Sequence, residues 1–169
     1  GEQPNDGNFC VDGLVGPDRT PHTGLKEFKN VNRPARVSEV NLQAGLFSVR
    51  NMLDFTPLNE HITLSYAVRQ EGRDIATGEV PEAFLNIAPH ADGEIRLELP
   101  KLKKAPFAVY FEMRQRYDSA LVPAGHPLGR EQIGRQKFEA PQHPDGVLGM
   151  DVLEQDGEIC LRGENFRYV

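Results

Sequence analysis

Ile62-Thr63-Leu64-Ser65-Tyr66-Ala67-Val68-Arg69 is the stretch that decides the fold. Side chains along a strand point alternately to opposite faces, so a hydrophobic period of two marks a half-buried strand. The run leads through Gln70-Glu71-Gly72-Arg73 into Ile75-Ala76-Thr77-Gly78. That arrangement reads as a hairpin with a Gly-containing loop.

The same period recurs on either side. Val37, Val40 and Leu42 sit in a strand beginning at Ala35, and Leu46 to Met52 makes a second. Beyond the hairpin, Phe84, Leu85 and Ile87 form a short apolar segment. Asp92-Gly93 is expected to turn the chain into Glu94-Ile95-Arg96-Leu97-Glu98-Leu99, which alternates strictly. Phe107 to Arg114 is a long apolar strand, and residues 128–138, ending in Phe138, make a weaker one. About seven short strands with turn signals between them predict a mainly β fold. We expect an Ig-like antiparallel β-sandwich, because each strand offers one apolar face to a shared core.

Two stretches differ from this pattern. Residues 1–34 hold Pro4, Pro17, Pro21 and Pro34 together with Gly7, Gly13, Gly16 and Gly24. One short helix fits there, from Thr23 to about Val31, with Leu25, Phe28 and Val31 on its apolar face. Thr23 is expected to cap it through its hydroxyl, and Asn32-Arg33-Pro34 to end it. A second break falls at Ala140-Pro141-Gln142-His143-Pro144. After it, Val152-Leu153-Glu154-Gln155 and Glu158-Ile159-Cys160-Leu161-Arg162 flank Asp156-Gly157, a strong hairpin signal. So small a hairpin cannot build its own core. The expected division is a short N-terminal loop–helix segment over 1–34, a β-sandwich domain over 35–139, and a linker with a first hairpin over 140–169. The Gly1 start and the strand-like Phe166-Arg167-Tyr168-Val169 end suggest a piece of a longer chain.

Composition removes several function classes. The 169 residues carry 19 basic and 25 acidic side chains, a net charge of −6, which is not the footprint of a nucleic-acid partner. Lys101, Lys103 and Lys104 form the dense basic run, and we read it as a solvated loop. No stretch reaches the roughly 18 apolar residues of a membrane span, and the polar N-terminus has no secretory apolar region. Cys10 and Cys160 have no metal-like spacing and read as reduced thiols of a cytoplasmic protein.

Catalytic motifs are missing as well. There is no GxSxG elbow, no HExxH and no glycine-rich phosphate loop. His22, His61, His90, His126 and His143 all stand in loop-like surroundings. Glu94, Arg96 and Glu98 share one strand face and are expected to make cross-strand ion contacts. No pair of carboxyls is nominated for acid/base work, so no catalytic residue is expected within the chain.

The most informative residues are Asn5-Asp6-Gly7-Asn8-Phe9-Cys10-Val11-Asp12-Gly13-Leu14-Val15-Gly16-Pro17-Asp18-Arg19-Thr20-Pro21-His22-Thr23-Gly24-Leu25-Lys26-Glu27. They resemble the closing segment of the catalytic barrel in long-chain β-galactosidases of glycoside hydrolase family two. Ala124-Gly125-His126 with Glu131-Gln132 resembles that family's AGHxxAWEQ signature, departing from it at Gly129 and Arg130. Val147 to Val169 resembles the opening of the family's C-terminal domain. The resemblance implies retaining hydrolysis of terminal β-D-galactosyl residues by two glutamates upstream of Gly1. It implies a structural, linking role for this chain, with the rest of a homo-oligomeric parent enzyme as partner.

The resemblance also implies an ion site. The Phe9 carbonyl and the Asp12 side chain would hold sodium beside the galactoside, which Phe9 would also help to line. Asn5 matches a residue near a second, magnesium site. All three offer oxygen, as hard cations prefer. Well-known members carry Asn where this chain has Asp12. Asp18 and Arg19 would pair with groups of the barrel. The competing reading is a stand-alone β-sandwich module that binds carbohydrate or protein. Against it, the chain has no Trp, and Tyr66, Tyr110 and Tyr117 sit in or at the end of strand patterns.

Overall fold

The computed structural model describes residues 3–5, 7, 13–101, 106–135, 149–155, 157–164 and 166–169. They divide into two compact units, Gly1–Gln136 and Lys137–Val169.

In the first unit, helix α1 (Thr23–Val31) precedes strands β1 (Ala35–Asn41), β2 (Leu46–Asn51), β3 (Ile62–Gln70), β4 (Arg73–Glu79), β5 (Asp92–Arg96), β6 (Phe107–Gln115) and β7 (Pro127–Arg135). The strands form two antiparallel sheets, ordered β1-β2-β5 and β4-β3-β6-β7. Period two explains how the sheets meet. Ile62, Leu64 and Val68 of β3 and Val109, Phe111 and Met113 of β6 face Ala35, Val37, Phe47, Val49 and Ile95 of the opposite sheet, and all are buried in one core. Phe47 and Phe111 meet edge to face, with ring centroids 5.1 Å apart. The chain is therefore mainly β, an antiparallel β-sandwich with one short α-helix before it.

Turn chemistry sets the register. Gln70 pairs with Arg73, leaving a two-residue turn in which Glu71 and Gly72 both have positive φ, 51° and 77°. That twist matches the flanking strands, as the sequence reading expects of this hairpin. Buried Asn51 closes the end of β2. Its amide donates to Thr56 O at 3.0 Å and Ile87 O at 2.9 Å, and its Oδ1 accepts from Leu53 N at 2.9 Å. A buried amide so fully bonded ties two loops to one strand end.

The structure corrects several expectations. Asp92-Gly93 is not a turn but the start of β5, opposite Arg50 and Val49. The chain reverses earlier, where Ala91 N donates to Ala88 O and His90 takes φ 58°. Glycine is used at 93 for closeness, because a Cβ there would strike Ile87. Val40 is half exposed, because the β1–β2 register shifts between Glu39 and Asn41 and Leu42 takes the buried place. Arg50–Asp92, at 2.8 Å, is the β2–β5 ion pair, not a contact of Glu94 or Glu98. Thr23 is the first residue of α1 and not its cap. His22 holds the cap position with no side-chain cap bond, its ring being turned to Gly13 O instead. The weak last strand ends at Arg135, and Phe138 lies outside the described residues. So do Lys103, Lys104, Cys10 and His143.

The second unit holds β8 (Asp151–Gln155), β9 (Glu158–Arg162) and β10 (Arg167–Tyr168), ordered β10-β9-β8. Gly157, at φ 82°, turns β8 into β9 as expected. Val152, Leu153, Ile159 and Tyr168 are exposed, so this small sheet buries little by itself.

Truncating Phe111 to Ala should cost about 3–5 kcal/mol, since it removes one ring of the aromatic pair and leaves a cavity. Urea denaturation of the chain measures it, and a loss below about 1 kcal/mol would mean that the sheets do not close on this ring.

Candidate functional site

The segment singled out by its residue types can be built from Gly13 onward. Leu14 to His22 folds as a tight loop. Val15 and Pro21 form an antiparallel bridge, Gly16 N donates to Thr20 O at 2.9 Å, and His22 N donates to Leu14 O at 3.0 Å. The His22 ring lies with Nδ1 2.9 Å from Gly13 O. A carbonyl only accepts, so Nδ1 carries the proton. Asp18 serves the tip: it accepts from Thr20 N at 2.9 Å and from the Thr20 hydroxyl at 2.7 Å. The Thr20 hydroxyl, followed by its amide, holds the Asp18 carboxyl below its ordinary 3.8. Asp18 thus spends its charge inside the loop. Arg19 sits at φ 65° beside it, where the turn requires the left-handed region.

Of the expected ion-site residues, Phe9 and Asp12 lie outside the described residues. Asn5 is within them, and its Oδ1 accepts from Gly7 N at 3.1 Å, a side-chain turn closed by Gly7 at φ 68°. Among the described residues no group of three or more His, Cys, Asp and Glu is gathered for a metal. Carboxylates instead meet arginines: Asp74 with Arg69, Glu112 with Arg114 and Arg130, Glu82 with Arg116. The Arg69 guanidinium holds Asp74 below its usual range by hydrogen bonding. No helix of the described residues is long and apolar enough to cross a membrane.

The loop is carried by α1, and α1 is joined to β7 by polar groups. Asn30 Oδ1 accepts from Arg130 N at 2.8 Å, and Lys29 Nζ lies 3.1 Å from His126 Nε2. Arg33, only 9% exposed, pairs with Glu131 through one Nη and donates to Asn30 O at 2.6 Å through the other. Its Nε is buried with no partner among the described residues. Gly129 lies so close that a Cβ there would meet the Arg33 stem. The stretch Ala124 to Gln132 therefore has a local use. Gly125 and His126 close the β6–β7 turn against Gln115, and Glu131 receives Arg33. Sequence reasoning took Arg33 only as the end of a helix and missed Asn30 and Gly129. Nothing local announces these contacts, because Arg33 and Glu131 stand 98 positions apart.

The family profile described as β-galactosidase, domain 4, matches residues 47–135, most of the sandwich from β2 to β7. The chain belongs to this β-galactosidase domain family. It is 39% identical over 171 residues to a β-galactosidase of Actinobacillus pleuropneumoniae, covering 99% of this chain and 16% of that protein. β-Galactosidase 2 of Enterobacter cloacae is 35% identical over 163 residues, covering 94% of this chain and 15% of the relative. A β-galactosidase of Priestia megaterium is 31% identical over 171 residues, covering 98% and 16% respectively. The chain thus spans about one sixth of the length of the curated relatives it matches. It is similar to part of a glycoside hydrolase, and the sandwich is a domain of such an enzyme.

The lowered acidity of Asp18 carries a sign. A carboxyl with a depressed pKa contributes order that is present above its unfolded pKa and lost as pH falls through the folded value. The Asp18–Thr20 contacts at the loop tip should therefore hold at pH 5 and weaken well below 3.8. Carboxyl NMR titration checks this, and Thr20→Val should move the Asp18 midpoint back up toward 3.8.

Proposed function

We propose that this chain is a non-catalytic, linking part of a β-galactosidase that presents one loop to the parent's active site. The parent would hydrolyse terminal β-D-galactosyl residues with retention, using two glutamates outside this chain. Similarity to β-galactosidases along 99% of the chain carries the reading. Two features of the first unit support it. Among the described residues the two carboxyls with shifted acidity, Asp18 and Asp74, both move down. That suits fixed anions rather than a general acid, which needs a raised value. Leu14, Val15, Phe28 and Val31 are exposed on the loop and helix, as expected of a surface that the parent covers.

In this reading residues 1–34 close a catalytic barrel, 35–139 form an Ig-like spacer, and 140–169 open the C-terminal domain. Phe9, Asp12 and Asn5 would serve the ions. The donor set is a carbonyl, a carboxylate and an amide, all oxygen, which suits sodium and magnesium. Phe9 would also border the galactoside. The parent would be a cytoplasmic homo-oligomer. Against the stand-alone sugar-binding reading, Arg69 lies over the Tyr110 ring, 4.6 Å from its centroid, and Tyr66 packs beneath Gly78, while Tyr117 stays exposed.

The purified 169-residue chain, given a chromogenic β-galactoside with sodium and magnesium, should release no product above buffer. Turnover that survives repeated purification would show a carboxylate pair within the chain and sink the linking role.

A further inference from the structure

We propose that Arg33 and Glu131 form an orienting clamp through which the sandwich sets the position of α1 and of the loop behind it. Both are then positioning residues for whatever the loop serves. Only that last clause rests on the β-galactosidase reading.

The need for a clamp follows from α1 itself. Its nine residues bury no side chain. Helices this short are marginal alone and normally depend on packing an apolar face. Here Phe28 and Val31 stay exposed, so polar contacts at the C-terminal end must supply what packing does not. Arg33 suits that task. Its planar fork engages Glu131 with one nitrogen and Asn30 O with the other, which fixes an angle as well as a distance. A buried guanidinium stripped of its carboxylate is strongly unfavourable, so the pair resists separation.

Two neighbours sharpen the fit. β7 is an edge strand, and edge strands leave backbone donors unpaired. Asn30 Oδ1 takes the Arg130 N–H and covers that part of the edge. Gly129 keeps the surface beneath the Arg33 stem open, because any side chain there would push the stem away. From α1 the constraint runs on through His22 N–H to Leu14 O and the His22 ring to Gly13 O. Gly13 directly follows Asp12. A nine-residue helix is about 13 Å long, so a tilt of about 10° at Arg33 moves the far end by ~2 Å. Misplacement of about 1 Å can already cost an active site about a hundredfold.

The test is amide hydrogen exchange of the 169-residue chain and three variants, Glu131→Gln, Arg33→Lys and Asn30→Ala. Gln keeps the shape and removes the charge. Lys keeps the charge but cannot reach both acceptors with a fork. Asn30→Ala leaves the buried pair in place, and so remains informative should the other two fail to fold. Amides from Leu14 to Asn32 should exchange about tenfold faster in Glu131→Gln and Arg33→Lys, and by a clearly smaller factor in Asn30→Ala, which keeps the pair, while those of β3 and β6 stay unchanged. An equal rise across the helix and both strands would mean that these residues only add global stability. No rise at the helix would mean that α1 is held by something else. Either result overturns the clamp. Galactoside hydrolysis is read separately, so loss of the clamp and loss of the linking role remain distinguishable.

Discussion

The edge-to-face contact of Phe47 and Phe111 brings together the middle strands of two sheets that are far apart in sequence. Each sheet has one apolar face, and neither face can stay wet. Once these rings meet, Val49, Ile95, Leu64, Val68, Val109 and Met113 close around them as one core. Other features follow from that closure. Asn51 can be buried only because the loops around Thr56 and Ile87 return to its strand end and satisfy it. Gly93 exists to let Ile87 lie on β5.

The junction with α1 is different in kind. It is polar, it lies at a sheet edge, and its apolar side is left uncovered. A helix that served only the sandwich would be expected to turn Phe28 and Val31 inward. Pinning the helix by Arg33 and Asn30 leaves that face exposed. This fits a chain that corresponds to about one sixth of its β-galactosidase relatives. In the second unit Val152, Leu153 and Ile159 are likewise exposed.

Much of this was legible in advance. The strict alternation of Ile62 to Arg69 and the Glu71-Gly72 turn predicted β3 and its hairpin, because backbone geometry and burial act there within a few residues. The spacing of Leu25, Phe28 and Val31 found α1 with its limits, although its apolar face was left out of the core. The errors arose where a local signal competed with packing. Asp92-Gly93 has the residue types of a turn, but Ile87 needed the space and β2 needed a partner. Val40 has the residue type of a core strand, but the register shift turned it outward. The ion-site residues Phe9, Asp12 and Asn5 came from a family pattern and not from any local rule.

The sequence by itself determined the strand period, the tight turns and membership of a β-galactosidase lineage. All three are written in neighbouring residues, where backbone sterics and alternation leave few alternatives. Only the tertiary structure decided that Arg33 meets Glu131, that Gly129 must lack a side chain, and that Asn30 covers an edge strand. Those choices join residues nearly a hundred positions apart. A charge buried at such a distance is tolerable only if its partner arrives with it, and nothing local encodes that arrival.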